Sequence, residues 1–311
     1  MNKLGVRGFA RNFVAKRRKY IDFLLIFREF LIDYRRYLTH GVPEHNMELR
    51  LSPKFLEMQT IMDIHSVEKG LSLRETRHPF GAEVIGRLTT ELANAPSDFY
   101  WKKDLEDSKK ALMLWNEEKL KSEQVVVQMK RNPEDVKHPG PSILETRHSV
   151  RSFDCDLPVP DEILIEAVRV AYFAPSVCNR QAWNVIFAKA DETKNSLLAL
   201  QNGNSGFSGI PVVGVITVDI SLFTGAGERN QPWIDGGIFA MSLSVALHGM
   251  GLGSCLLNTS VRNNYSDKIR EIADIPDGHL IISMMAIGFS DVEYMKAKSS
   301  RRDVKDVLKF L

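Results

Sequence analysis

A change of pattern near residue 135 constrains the fold of this 311-residue chain more than any other feature. Before it, apolar residues recur at helical spacing. One such stripe runs through Leu24, Phe27, Leu31 and Tyr34. After it, helical patterns alternate with short apolar runs typical of buried strands, such as residues 211–218. The polar, proline-containing residues 130–141 resemble a linker. We therefore predict a helical extension over residues 1–135 and an α/β or α+β domain over residues 136–311.

Residues typical of helix ends and turns give the approximate bounds of the predicted helices and strands. Ser52 and Pro53 form a cap and first-turn pair that opens a helix. In this helix His65 and Glu68 share a face, but two side chains are too few for a metal site, and we interpret Gly70 as the C-cap. Further elements are predicted as helices at 81–95, 108–129, 160–173 and 234–250, and as strands at 184–188, 211–218 and 280–287.

Charge and hydropathy narrow the possible partners. The formal net charge is +2, so no nucleic-acid partner is expected. The most apolar amino-terminal stretch, residues 21–31, is interrupted by charges and is shorter than the ~20 residues of a membrane span. No small-residue cleavage site follows it, and we expect a cytoplasmic protein. An amphipathic helix after the basic residues 16–19 is compatible with an anionic membrane surface, although packing against the rest of the protein is favoured.

Three widely spaced cysteines form no paired metal or redox motif, and we expect buried or partly buried thiols. They are Cys155, Cys178 and Cys255.

A basic segment follows a predicted short helix. Ser142 and Glu145 have the spacing of a capping box, so the helix is expected to begin there. Its end is followed by Arg147, His148, Ser149 and Arg151. Guanidinium and hydroxyl groups suit phosphate oxygens, so this segment is a candidate phosphate site. A solvated basic turn is the alternative.

A second polar segment lies between a predicted helix and a predicted strand. Its short neutral side chains, Ser176, Asn179 and Gln181, precede Trp183. Such donors and acceptors suit the edge of a planar heterocycle and its hydroxyl groups. The alternative is a polar loop that satisfies its own backbone.

The two segments together, Arg-His-Ser-x-Arg and then Pro-Ser-x-x-Asn-x-Gln-x-Trp, resemble the FMN-dependent nitroreductase family. The resemblance covers residues 141–311 and implies an α+β fold with a mainly antiparallel sheet flanked by helices. It implies that the basic segment holds the FMN phosphate and ribityl end. It also implies that Ser176, Asn179 and Gln181 approach the cofactor from the partner subunit or from the isoalloxazine side. Ala182 replaces a common proline, which we expect to alter the turn more than the ligand.

Later segments extend the resemblance. Trp233 to Gly237 leads into a helix whose Gly-Leu-Gly exit, at residues 251–253, is also a plausible C-cap and turn. In the family, the chain after this exit runs along the flavin ring. The resemblance therefore implies that Leu256, Leu257 and Asn258 lie along the ring, with Cys255 and Thr259 beside them. Residues 296–307 resemble the family's basic closing segment, in which an Arg or Lys contacts the FMN phosphate. This implies a phosphate contact for Arg301, with Arg302 and Lys298 as alternatives. A solvated basic tail is equally compatible with each of them.

The resemblance implies an enzyme in which NADH or NADPH reduces FMN and electrons then pass to a second substrate in a ping-pong cycle. It implies a homodimer with flavin sites at the interface, and it requires no catalytic acid, base or metal. Residues 201–231, rich in Gly, Ser and Asn, are the expected lid. The competing hypothesis is a flavin-binding scaffold with little turnover, whose helical half docks a partner or a membrane surface. Specialised flavin chemistry, such as dehydrogenation or reductive removal of a substituent, is a third hypothesis.

Overall fold

The computed structural model describes residues 24–25, 27–41, 52–73, 76–126, 140–204, 207, 209–294 and 303–311. The helical region, residues 24–126, contains α1 (24–25 and 27–40), α2 (Pro53–Ser72), α3 (Ala82–Asn94) and α4 (Lys102–Glu118). The sheet region begins at residue 140. Its helices are α5 (Gly140–Thr146), α6 (Asp161–Ala171), α7 (Asp191–Ala199), α8 (Gln231–Gly249) and α9 (Asn263–Ala273). Its strands are β1 (Trp183–Ala188), β2 (Val212–Asp219), β3 (Gly253–Leu257) and β4 (His279–Gly288).

Helix α2 begins as the sequence predicts and ends later. The Ser52 hydroxyl accepts a hydrogen bond from the Phe55 amide at 3.3 Å, which confirms the cap. The prediction that Gly70 ends the helix is wrong, because α2 continues to Ser72. A Cβ on Gly70 would lie 2.6 Å from a ring carbon of Phe80. The glycine therefore provides room for an aromatic ring instead of ending the helix.

The predicted bounds of α4 are also wrong. The helix spans Lys102–Glu118 instead of residues 108–129, and Lys119, with φ of 59°, follows it in the left-handed conformation. Apolar side chains of α4 pack into a core that is shared with α2 and α3, through Val67, Leu71, Leu88, Leu105 and Leu112. The bounds of α4 therefore follow from this packing and not from the helical spacing of apolar residues that predicted residues 108–129.

The sheet has four strands in the order β1-β2-β4-β3, and every neighbouring pair is antiparallel. This confirms the expected α+β fold with an antiparallel sheet. Each sheet-region element that the sequence bounds is found within three residues of its expected ends. Helices α7 and α9 are additional elements that the sequence analysis does not predict.

Two apolar layers cover the sheet. Successive residues of β2 point to opposite faces, so Val212 and Ile216 join one core while Val213 and Val215 join the other. Helices α6 and α8 cover the first face, and α7 and α9 cover the second. Every residue of β2 is buried, as expected of a central strand covered on both sides.

The helical region contacts the sheet region at several described points. Phe55 and Met58 of α2 pack with Leu222. The Tyr37 hydroxyl donates a hydrogen bond to the Gly225 carbonyl at 2.7 Å. The predicted domain boundary at residue 135 lies outside the described residues and stays a prediction. No described helix has an apolar stretch long enough to cross a membrane.

Candidate functional site

The basic segment lies beside the first residues of β3. Ser149 forms a parallel bridge with Ser254, whose carbonyl accepts a hydrogen bond from the Val150 amide at 3.0 Å. Gly253 permits this approach, because a Cβ there would lie 2.8 Å from the Val150 side chain. The arginines at either end of the segment are therefore held at one edge of the sheet.

The capping-box prediction for Ser142 is wrong. Helix α5 begins at Gly140, so Ser142 lies inside it. The Ser142 carbonyl accepts a hydrogen bond from the Thr146 hydroxyl at 2.7 Å. The short helix exists and still leads into Arg147, but its first turn is two residues earlier than the capping pattern indicates.

Arg147 and His148 of this segment lie close to a second histidine, His248 of α8. His148 Nε2 lies 2.8 Å from the Tyr294 hydroxyl, and its ring lies 6.3 Å from that of His248. Burial and the nearby charges of His148 and Arg147 lower the pKa of His248. The Nε of Arg147 is buried and has no hydrogen-bond partner among the described residues. Arg151 is exposed. The arrangement offers buried and exposed donors to an anion.

The loop over residues 176–181 has an unusual backbone. Cys178, Asn179 and Gln181 have φ values of 48°, 55° and 52°. Non-glycine residues in this left-handed region are sparse and cluster at functional sites. The Ser176 hydroxyl accepts a hydrogen bond from the Gln181 amide at 3.0 Å. A proline at position 182 would push residue 181 towards extended φ, so Ala182 fits the observed turn.

Buried charges hold this loop in place. The guanidinium of Arg180 binds both carboxylate oxygens of Glu228, at 2.7 and 2.8 Å, and donates to the Leu222 carbonyl at 2.9 Å. Asp235 of α8 is buried and accepts a hydrogen bond from the Val177 amide at 3.2 Å. Burial tends to raise the pKa of Glu228, but hydrogen bonds from Arg180 and from the Thr224 amide lower it overall.

The sequence alone indicates no role for Arg180, Glu228 or Asp235. Arg180 lies inside the second motif and Asp235 inside the later segment Trp233 to Gly237. The pairing of Arg180 with Glu228 is not visible in the sequence, because the two lie 48 residues apart in the chain.

The residues after β3 line a cleft of about 490 Å³. Its walls are Trp233, Leu256, Asn258, Thr259, Ser260, Ile282 and Ser283. Leu256 is exposed, whereas Leu257 and Cys255 are buried in the core. The predicted site residue Leu257 therefore does not line the cleft. The Asn258 carbonyl accepts a hydrogen bond from Gln201 at 2.9 Å.

The two predicted clusters lie at opposite corners of one sheet. Ser149 adjoins Ser254, which pairs with Ile287 at the end of β4. The other loop enters β1 at Trp183, which aligns through β2 with Leu280 at the start of β4. The strand spacing separates Ser149 from Trp183 by about 19 Å across the sheet and roughly 20 Å along it. One copy of the chain does not bring the two clusters together.

Other predictions fare differently. Residues 201–231 cannot form one lid, because the central strand β2 lies within them. Cys155 is exposed, contrary to expectation, while Cys178 is half-buried. Arg301, Arg302 and Lys298 lie outside the described residues. His65 and Glu68 are 3.3 Å apart, and no group of three or more metal-ligating side chains occurs within the described part of the chain.

A family model matches part of the sheet region. Residues 144–203 and 194–289 are similar to the Nitroreductase family. A curated relative is the putative NAD(P)H nitroreductase YodC of Bacillus subtilis. It is 23% identical over 179 residues, with 47% of this chain and 87% of the relative covered.

A solved structure shares the fold of the sheet region. The putative nitroreductase ydfN of Bacillus subtilis superposes with a TM-score of 0.50 at 16% identity, covering 55% of this chain and 98% of that one. A putative nitroreductase in complex with FMN from Desulfovibrio desulfuricans gives a TM-score of 0.48 at 20% identity, covering 55% of this chain and 96% of that one.

Proposed function

We propose that this protein is an FMN-dependent oxidoreductase. NADH or NADPH serves as the electron donor, and a second small-molecule substrate accepts the electrons in a ping-pong cycle. The active form is a homodimer. The family match to residues 144–289 supports an oxidoreductase of the nitroreductase type.

The observation that carries the cofactor assignment is the buried Nε of Arg147, which has no hydrogen-bond partner among the described residues. A buried donor without a partner costs about 1–3 kcal/mol, so the folded chain gains if an acceptor reaches the Arg147 Nε. His148 and Ser149 lie next to it in the chain, and His248 faces His148. A phosphate monoester supplies several charged oxygens, which suits this set of donors better than a single carboxylate does. The residues fit the phosphate end of FMN.

The remaining predicted residues fit the ring end. Leu256 offers an exposed apolar side chain to a planar ring, and Asn258 offers an exposed amide at the same cleft. FMN, when bound, supplies the redox chemistry. The chain anchors the phosphate, orients the ring and leaves one face open, so no side chain needs to act as a nucleophile or general base. Arg301 is proposed as a further phosphate contact, as the resemblance implies.

A second copy of the chain completes the proposed site. Asn179 and Gln181 stand at the opposite sheet corner from Ser149, beyond the reach of one FMN molecule in the same copy. In a two-fold dimer the loop of one copy reaches the basic segment of its partner. The buried supports of this loop, Arg180 and Asp235, keep its donors in place before the partner arrives.

The first experiment is the visible absorption spectrum of the purified protein, followed by anaerobic addition of NADH and then NADPH. We expect a flavin band that bleaches with at least one nucleotide. A flavin band that neither nucleotide bleaches would exclude these donors and favour the scaffold hypothesis. Absence of FMN after reconstitution would overturn the cofactor assignment.

Complementation tests the shared site. Arg147→Ala and Asn179→Gly each remove one proposed contact, and glycine keeps the left-handed backbone accessible. Co-expressed in one dimer, the two variants leave one site with both changes and one with neither. We expect the mixed dimer to recover about half of the wild-type FMN content, following from the two-fold geometry. Sites built within single chains would show no recovery.

A further inference from the structure

Helix α1 is anchored to the sheet region along one face. Glu29 accepts hydrogen bonds from the backbone and side-chain amides of Asn263, both at 2.9 Å. Arg36 donates to Asn263 at 3.1 Å and pairs with Asp267 at 3.3 Å. The Tyr37 hydroxyl is bonded to the chain ahead of α8. These contacts fix the orientation of the helix about its own axis.

The opposite face of α1 carries an exposed apolar stripe. Its members, which are between 46% and 69% exposed, are Leu24, Phe30, Leu31, Tyr34 and Leu38. At about 100° per residue, Tyr34 and Leu38 each lie roughly 160° around the helix from the anchored Arg36. Phe30 lies beside Tyr37, at the border between the stripe and the anchored face. The stripe therefore points away from the body of the protein. Contiguous exposed apolar surface of this kind marks an interaction site.

Charge around the stripe indicates what covers it. Arg28 and Arg35 are exposed and border the stripe on one side. The sequence just before the helix, residues 1–20, contains seven Lys or Arg and no Asp or Glu. Basic groups beside a stripe of Phe, Leu and Tyr match the chemistry of an anionic lipid surface. An antiparallel contact between two copies of the stripe would instead place the exposed Arg28 and Arg35 of one copy beside the same arginines of the other, which is unfavourable.

We propose that the apolar stripe of α1 docks the protein on an anionic membrane surface. The helix lies in the plane of the interface with its leucines and aromatic rings in the lipid and its basic border at the head groups. Because Glu29 and Arg36 hold the helix on the sheet region, docking places the whole protein at the membrane in one orientation. The proposal does not depend on the cofactor or the reaction.

The test is co-sedimentation of the full chain with vesicles of phosphatidylcholine, with and without phosphatidylglycerol. We expect binding to the anionic vesicles that weakens as salt is added, and little binding to the neutral ones. The double variant Leu31→Glu and Leu38→Glu should weaken binding at least about tenfold, because it removes two exposed leucines that would enter the lipid. Leu120→Glu is the matched control, since Leu120 is 53% exposed but stands outside α1.

A milder variant separates docking from folding. Arg28→Gln with Arg35→Gln alters only exposed side chains and should weaken binding about five-fold for each arginine. Unchanged binding in both double variants would overturn the proposal, as would wild-type protein that ignores anionic vesicles. Sedimentation velocity tests the alternative occupant of the stripe, a second copy of the chain. A larger wild-type oligomer that only the Leu31 and Leu38 variant dissociates, without vesicle binding, would identify a contact between copies instead.

Discussion

The two regions of the molecule leave different buried atoms unpaired. In the described sheet region these atoms are the Nε groups of Arg147, Arg180 and Arg270, whereas in the described helical region the atom is Oε2 of Glu91. Arginine keeps its charge at any pH that a protein meets, but a carboxylate can take up a proton. An arginine of the sheet region that has no other partner therefore needs a hydrogen-bond acceptor. In the helical region the unpaired carboxylate of Glu91 can instead take up a proton, so the stability of that region can respond to pH.

The arginines of the sheet region are not equivalent. Arg180 places its other nitrogens on Glu228 and Leu222, and Arg270 donates to the Pro276 carbonyl at 2.9 Å. No described residue provides such a partner for Arg147. Arg180 is therefore largely satisfied within the fold and Arg270 has one carbonyl partner, whereas Arg147 has no partner among the described residues and is the one left for a ligand.

The largest expected effect comes from breaking the buried pair. Glu228→Ala leaves Arg180, whose side chain is 1% exposed, without its bidentate partner. Breaking a buried pair in this way costs about 3–5 kcal/mol of unfolding free energy, which urea denaturation measures. Glu166→Ala is the control, because the Glu166–Arg169 pair is also bidentate, with both contacts at 2.6 Å, but is exposed. Equal losses from both variants would contradict the role assigned to burial.

Arg147 provides the next test. Arg147→Ala should weaken FMN retention by about 1.5–3 kcal/mol, the range of hydrogen bonds to charged groups. Fluorescence titration of the apoprotein with FMN measures the loss. Arg169→Ala, at an exposed arginine away from the proposed site, should leave the affinity unchanged. Unchanged affinity in the Arg147 variant would show that the unpaired donor does not face the phosphate.

The sequence predicted the sheet region better than the helical region. Strand β2 is a continuous apolar run bounded by Pro211 and Asp219, so its local pattern specifies a buried strand. Helix α4 lacks such markers, and its position depends on a core formed with α2 and α3. Residue types within the motifs indicated a ligand, but the pairing of Arg180 with Glu228 arises only when distant segments fold together.

Glu91 tests the helical side of the comparison. Burial and the nearby Asp63 raise the pKa of Glu91 to about 6, above its ordinary value of 4.5. Because the pKa of Glu91 is raised in the folded state, this group contributes stability at pH values below its unfolded-state pKa. That stability is lost as the pH rises through about 6. Glu91→Gln should therefore be more stable than wild type by about 1–2 kcal/mol at alkaline pH and show little gain under acidic conditions.

Urea denaturation on both sides of the Glu91 pKa measures this difference. Glu123→Gln is the matched control, because Glu123 is exposed in a turn of the same region. A gain that is independent of pH would mean that the glutamine acts through packing and not through the removed charge.

The smallest effect concerns the link between the regions. Lys54 of α2 lies 2.6 Å from Asp219, which is buried at the end of β2, but the Lys54 side chain is 63% exposed. Burial tends to raise the pKa of Asp219, yet hydrogen bonds from His279, Lys54 and Ser221 lower it overall. A lowered pKa gives stability that is present above the unfolded value and lost as the pH falls.

Lys54→Met should cost only about 0.5–1 kcal/mol near neutral pH, because solvent screens the exposed partner. It should also move the onset of acid unfolding to higher pH, since Asp219 loses one of the groups that favour its charged form. Circular dichroism during acid titration measures the onset. Lys305→Met is the control, because Lys305 and Asp303 form a pair that is exposed on both sides. An unchanged onset would mean that His279 and Ser221 suffice to keep Asp219 ionised, and that the ion pair adds little to the contact between the two regions.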